Sequence, residues 1–233
     1  MIRGYFVFFL LLGLALIFSN LLFGYVADSE LNLTGQYYAE HTAEDIGAVN
    51  IVTAIIVTYR GLDTLGEVTV LFLTAAIIGL VLSNGNTPGT SLQHKLPASG
   101  EILTTGSRLL VPLILLLGAY VFINGHLTPG GGFQGGAILA SAALLLLLTD
   151  PMKKFSHRLI SIVESVSGLF FVGLGVLGAI YGGGFLDNRL LPTGTLGSIF
   201  SAGLIPIIYT FVGLKVGAEF TSMLVNLSKT EKS

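Results

Sequence analysis

The sequence predicts an all-α, polytopic transmembrane protein of about six helices, and three observations carry that reading. Of 233 residues, 52% are hydrophobic and only 10% are charged, against about 25% charged in an ordinary globular domain. The mean hydropathy is +0.84. The apolar residues also fall in runs long enough to cross a hydrocarbon layer of about 30 Å, which takes roughly 20 helical residues. The formal charge is −2, from 11 Lys and Arg against 13 Asp and Glu, and gives no electrostatic ground for nucleic-acid binding. With no cysteine the chain can form no disulfide, thiolate metal site or cysteine-ligated iron–sulfur cluster. Four scattered histidines argue against a resident metal. No cofactor is expected in this chain, and any electron transfer belongs to another subunit.

The first crossing is 4–26, an uncharged run. Arg3 ahead of it resembles the start of a signal peptide, but the run exceeds an h-region of about 7–15 residues and no small-x-small cleavage site follows. Residues 27–47 read as an acidic loop with Asp28, Glu30, Glu40, Glu44 and Asp45 and no Lys or Arg; it includes the sequon Asn32-Leu33-Thr34, a weak signal alone. The stretch 42–83 admits two readings. Thr42 with Asp45 resembles a helix cap, and Tyr59-Arg60-Gly61-Leu62-Asp63 interrupts the apolar run. It is one crossing preceded by a broken half, or two crossings joined by a tight turn, which would make seven helices. Four further runs follow at 103–124, 133–149, 159–182 and 196–225, separated by the turn 125–132, the basic loop 150–158 and the loop 183–195.

Charge asymmetry chooses between the readings, because basic residues gather on the cytoplasmic side. With six crossings, Arg3, Lys95, Lys153, Lys154, Arg158, Lys229 and Lys232 share one side and Arg189 stands alone on the other. With seven, Arg3, Arg60 and Arg189 oppose the rest. Six crossings are therefore expected, with both termini cytoplasmic and the acidic loop outside the cell membrane.

Charges at bilayer depth cost at least about 2.5–3.5 kcal/mol on insertion scales and persist mainly where they face protein or water. The candidates are Arg60, Asp63, Glu67, Arg108, Glu164, Lys215 and Glu219. Asp63 and Glu67 are four apart and share a helix face, as do Lys215 and Glu219 with opposite charge. Arg60 to Glu67 is either a surface turn, under seven crossings, or a buried charge cluster. Lys215 and Glu219 are either a neutralised structural pair, with the lysine snorkelling, or part of an ion path. Glu164 is either an interfacial carboxylate beside Arg158 or Lys154 or a member of that path. A desolvated carboxylate holds its proton more tightly and a neighbouring cation loosens it. Glu67 with Arg60, and Glu219 with Lys215, supply such acid–base pairs for a proton relay; the same oxygens could coordinate Na+ in transit.

Residues 124–136 read Asn-Gly-His-Leu-Thr-Pro-Gly-Gly-Gly-Phe-Gln-Gly-Gly. Gly130, Gly132 and Gly135 satisfy GxGxxG, but the nucleotide fingerprint needs a preceding strand, and this turn joins membrane helices. Pro129 with Gly130, Gly131 and Gly132 instead breaks the helix and allows close backbone approach ahead of Phe133. His126 is either a plain turn residue or a group that titrates near neutrality. The glycines Gly168, Gly173, Gly175 and Gly178 suit close helix packing, within the chain or against a neighbour.

The run His126-Leu127-Thr128-Pro129-Gly130-Gly131-Gly132-Phe133-Gln134-Gly135-Gly136 closely resembles the signature of the MnhB/MrpB family, membrane subunits of Mrp-type multisubunit Na+/H+ antiporters. The block 103–226 resembles that whole subunit. The stretch Asn50 to Leu71, with Tyr59-Arg60-Gly61-Leu62-Asp63-Thr64-Leu65-Gly66-Glu67, resembles the carboxyl-terminal segment of MrpA, which stands alone as MbhE in archaeal membrane-bound hydrogenases. The resemblance implies a fusion: an MbhE-like unit over 1–83, a linker over 84–102, and an MnhB/MrpB-like four-helix unit over 103–233. It implies a non-catalytic subunit of an Mrp-type module, coupled in hydrogenase and sulfur-reducing relatives to a redox arm. Its partners would then be other Mrp-like membrane subunits, and hydrogenase-like and iron–sulfur subunits where that arm is present. It places Arg60 and Glu67 on or near the ion path. A structural linker subunit that carries no ions is the competing class. A self-sufficient transporter is poorly supported, since no inverted repeat is evident.

Overall fold

The computed structural model describes residues 2–24, 31–84, 99–150 and 155–230. The greater part of the linker reading, and Asp28, Glu30, Lys95, Lys153, Lys154 and Lys232, lie outside them. Eight α-helices and no strand occur among the described residues: α1 Ile2–Gly24, α2 Leu33–Asp45, α3 Ile51–Ala54, α4 Gly61–Asn84, α5 Glu101–Ile123, α6 Gly132–Thr149, α7 His157–Tyr181 and α8 Ile205–Thr230. Six are long and apolar enough to cross a membrane: α1, α4, α5, α6, α7 and α8. The chain divides into compact units after Tyr37.

In the first unit, α1 is apolar all round, with no buried residue along its span. An isotropic apolar surface is what a helix bathed in hydrocarbon requires. The acidic segment expected to be a loop is in part helical. Asn32 accepts a hydrogen bond from the Gly35 amide at 2.7 Å, so its side chain caps the first turn of α2. Thr42, on the part of that helix that belongs to the second unit, caps nothing: it is buried near the helix end and its hydroxyl donates to the Tyr38 carbonyl at 2.6 Å.

In the second unit the reading of 42–83 as one crossing with a broken half holds. Asn50 caps α3 by accepting from the amides of Val52 and Thr53. A π-helical turn, Ile55–Tyr59, follows, and Arg60, at φ −126° and ψ 42°, leaves the helical region before Gly61 opens α4. Such π turns place one extra residue in the helix and commonly occur at functional sites.

The core is built on α8. Ile205, Ile208, Val212 and Val216 recur at helical spacing and are essentially inaccessible, joined by Phe171 from α7, Val57 from the π turn and Leu186. Helices α4, α5, α6 and α7 all pack on α8. The approach of α6 to α8 depends on missing side chains: a Cβ on Gly132 would meet Val212 Cβ at 2.7 Å, and one on Gly136 would meet the Gly213 carbonyl at 2.7 Å. Small residues at such crossings are how membrane helices gain van der Waals contact when lipid is as apolar as their side chains.

Helix α8 starts at Ile205, later than the apolar run from 196 suggests. Residues 191–204 are rich in Leu, Ile and Phe, but Gly194, Gly197, Ala202 and Gly203 take φ of 67°, 86°, 62° and 54°, which a right-handed helix cannot contain. A 3₁₀ turn, Asn188–Leu190, lies just ahead of this loop.

Candidate functional site

Two polar places are built into the second unit. The first is the glycine turn. His126 is fully buried, and its carbonyl accepts from the amides of both Val49 and Asn50 at 3.0 Å. The Asn50 amide group donates to the carbonyls of Gly125 and Thr128, each at 2.9 Å. The Thr53 hydroxyl donates to the Gly125 carbonyl at 2.6 Å, and the Tyr209 hydroxyl donates to Thr53 Oγ1 at 3.1 Å. Carbonyls freed by the Pro-Gly break are thus satisfied by a neighbouring segment, as backbone outside a helix must be where water is scarce. The imidazole lies 3.3 Å from the Ser198 carbonyl through Nε2. Burial pushes His126 below its ordinary value of 6.5, opposed by the carbonyls of Ser198, Ile123 and Ile199.

Beside the turn lies a cavity of about 690 Å³ between α3, the π turn, α4, the start of α6 and α8. Its walls are mostly apolar, with Glu67, Thr64, Gln134 and Tyr209 among the lining groups and Gly130, Gly132 and Phe133 at one edge. Glu67 is exposed on α4. Arg60 does not pair with it. The Arg60 guanidinium meets Asp63 at 2.7 Å, one turn away, and both side chains are largely exposed, at 61% and 46%. The cluster expected to be buried therefore lies on this chain's surface, because the break at Arg60 turns that guanidinium back along α4.

The second place is the ion pair on α8. Lys215 Nζ donates to Glu219 Oε1 at 2.6 Å; the side chains are 10% and 0% exposed. The ammonium sits 5.1 Å over the Phe72 ring of α4, a cation–π contact. Glu219 Oε2 has no hydrogen-bond partner. Half-buried Glu164 on α7 is close enough to act electrostatically on Glu219. Arg108, on α5, is exposed and makes no ion pair among the described residues. The structure thus joins Lys215 to Glu219, with Glu164 one helical turn from the Gly168 backbone against which Lys215 lies, and holds Arg60 with Asp63 elsewhere, Glu67 lining the cavity beside the glycine turn.

Three groups escaped the sequence reading. Asn50 was within reach of the capping rule, as an Asn directly before an apolar helix. Asn188 is fully buried and donates to the Ile46 carbonyl at 2.9 Å, and Asp187 pairs with Arg189, whose Nε donates to Oδ1 at 2.9 Å. Those two sit in a loop, where no periodicity announces them. The Arg189 guanidinium holds the Asp187 carboxyl down to about 2.

Two known domains cover the sequence. Residues 102–222 match the domain related to the MnhB subunit of Na+/H+ antiporters, and residues 7–92 match MbhE, one of the subunits of MBH. The chain belongs to the MnhB-related family of Mrp-type antiporter subunits, as an MbhE–MnhB fusion. It is 32% identical over 203 residues to the uncharacterized protein MJ1307 of Methanocaldococcus jannaschii, covering 77% of each. It is 39% identical over 82 residues to a Na+/H+ antiporter subunit of Bacillus subtilis, covering 35% of this chain and 54% of that one. Among solved structures, a chain of the membrane-bound sulfane sulfur reductase, an archaeal respiratory membrane complex, superposes with a TM-score of 0.81. The identity there is 38%, over 97% of this chain and 98% of that one. A chain of the Mrp complex from Dietzia sp. DQ12-45-1b superposes with a TM-score of 0.78 at 25% identity. There 97% of this MbhE–MnhB protein corresponds to only 26% of the other chain.

Proposed function

We propose that this chain is a non-catalytic membrane subunit of an Mrp-type Na+/H+ antiporter module, working in a redox-driven respiratory complex of the membrane-bound hydrogenase or sulfane sulfur reductase type. In this reading its charged residues contribute to the ion path. The observation that carries it is the Lys215–Glu219 pair: a carboxylate with no exposed surface, one oxygen orphaned, inside a membrane-spanning helix. Replacing a buried ion pair by apolar residues is often neutral or stabilising, so a pair kept at this depth is better explained by use than by stability. Glu67, exposed toward a cavity at the other polar place, is the matching group through which H+ or Na+ would pass, with Arg60 and Asp63 beside it and His126 behind the glycine turn. Na+ in transit is the ion this module would handle. The full-length likeness to a sulfane sulfur reductase chain supports hydrogenase-like and iron–sulfur partners as well as other Mrp-like subunits.

The test is gentle purification through a tag on this chain, mass spectrometry of what accompanies it, and Na+-dependent proton movement in vesicles carrying the assembled complex. Glu67→Gln and Glu219→Gln are expected to abolish that movement without loss of assembly. Normal transport by both assembled variants would defeat the reading, as would a chain that purifies alone.

A second reading, a linker subunit that carries no ions, is favoured by the way Asn50 and Thr53 tie the first domain to the glycine turn of the second. Under it, the same substitutions reduce assembly and leave transport per assembled complex unchanged.

A further inference from the structure

Lys215 has more company than its one ion pair. Its aliphatic chain and ammonium lie against α7 at Gly168, where a Cβ would stand 3.4 Å from Cδ, 3.5 Å from Cε and 3.6 Å from Nζ. Glu164 precedes Gly168 by four residues and so lies on the same face of α7, one turn away. Glu164 is half-buried and Glu219 is not exposed at all. Helix α4 offers the ammonium the Phe72 ring, α6 carries no charged residue, and Arg108 of α5 is exposed. Among the described residues the place therefore holds two carboxyl groups and one ammonium, and with both carboxyls ionised one negative charge would lack a partner on the facing helices, a costly state in a medium of low polarity.

We infer that Lys215 has a second berth on α7, formed by the bare backbone at Gly168 and the carboxyl of Glu164, and that one proton is exchanged between Glu164 and Glu219 as the lysine moves. This deepens the proposed ion-path role and rests on it. In one state Lys215 is bonded to ionised Glu219 and Glu164 carries the proton. In the other the O–H bond of Glu164 has broken, an O–H bond has formed at Oε2 of Glu219, and the ammonium has crossed to the Glu164 carboxylate. The net charge is zero in both states, so neither leaves a buried ion unpaired. Oε2 of Glu219 is the natural acceptor because no hydrogen bond occupies it. Phe72 faces the ammonium in the first state and shortens no bond in either, so it lowers the cost of desolvation without trapping the lysine. Half-buried Glu164 is the side from which the proton enters. The absence of a side chain at 168 gives the lysine stem room to cross between carboxyls on facing helices.

The experiment uses the assembled complex in lipid vesicles, with transport and infrared spectra of protonated carboxyl groups recorded together. Glu164→Gln is expected to remove one protonated-carboxyl band and the Na+-dependent proton movement, while Glu219 stays paired and assembly is normal. Gly168→Ala adds a methyl at ordinary contact distance and is expected to retain the band. Gly168→Val fills the crossing space and is expected to keep the band but slow transport. Retention of full transport by Glu164→Gln overturns the inference. If Glu219→Gln or Glu67→Gln then still abolishes transport, the ion-path reading survives without the second berth; if neither does, both fall. Loss of transport in Glu164→Gln with the carboxyl band intact also overturns the exchange, since the proton would then reside elsewhere.

Discussion

Lys215 and Glu219 show what a sequence spacing of four can and cannot disclose. The spacing and opposite charge place both on one helix face, but only the packing of α8 under α4 and α7 makes the pair inaccessible. Lys215→Met is expected to strand the carboxylate and destabilise the purified complex by about 3–5 kcal/mol, read as a lower unfolding midpoint, whereas adding Glu219→Gln recovers most of that loss. If the single and double variants unfold alike, the pair is not buried as described. Asp187 behaves differently. Its folded value of about 2 lies below the ordinary 3.8, so the Arg189 contact stabilises the fold above about pH 4 and loses its effect as pH falls toward 2, an effect of about 2 kcal/mol. Wild type and Asp187→Asn should therefore differ in melting temperature at neutral pH and converge below pH 3; a constant gap would refute the assignment. Arg60 and Glu67 looked equivalent to this pair in sequence. The interruption at 59–63 was visible in the sequence, but not that its geometry pairs Arg60 with Asp63.

At the scale of elements, the long apolar runs, the interruption at 59–63 and the glycine turn were legible, while α2, the π turn and the loop ahead of α8 were not. Helices α5, α6 and α7 follow their runs closely because composition alone drives a segment of that length into helix where backbone groups lack water. The false start of α8 came from counting apolar residues through 196–204, where backbone at positive φ overrides hydropathy. The acidic segment hid α2 because its charges suggested a solvated loop, while a single Asn32 was enough to begin a helix. The knot around Asn50 is the element-scale feature of greatest consequence. One side chain caps α3 and also holds two carbonyls of the glycine turn, 75 and 78 residues away. Asn50→Ala is expected to cost about 2–4 kcal/mol, more than a cap alone, since it leaves buried carbonyls unpaired as well. Hydrogen exchange would report it as faster opening of residues 124–131; unchanged protection there would mean the turn stands without its partner.

For the whole molecule, the class of fold was legible from hydrophobic length, and the number of spans from that length together with the distribution of basic residues. It could not supply which helix is central, because that depends on where glycines meet across helices. Orientation rests on the distribution of basic residues and has a direct test. The chain has no cysteine, so Ala39→Cys and Ser228→Cys each create a single thiol. An impermeant maleimide added to whole cells should label the first and spare the second until the membrane is opened; the reverse pattern would invert the topology. The placement of α8 bears finally on how the protein is made. Helices α4, α5, α6 and α7 leave the ribosome before the surface they pack on exists, and α8 is the least apolar of the six spans, with a charge pair in its middle. The earlier helices therefore enter the bilayer with the faces that later meet α8 uncovered, among them Gly132 and Gly136 of α6. A chain interrupted ahead of α8 would leave an open bundle in the bilayer, so the arrival of α8 is the step that closes the core.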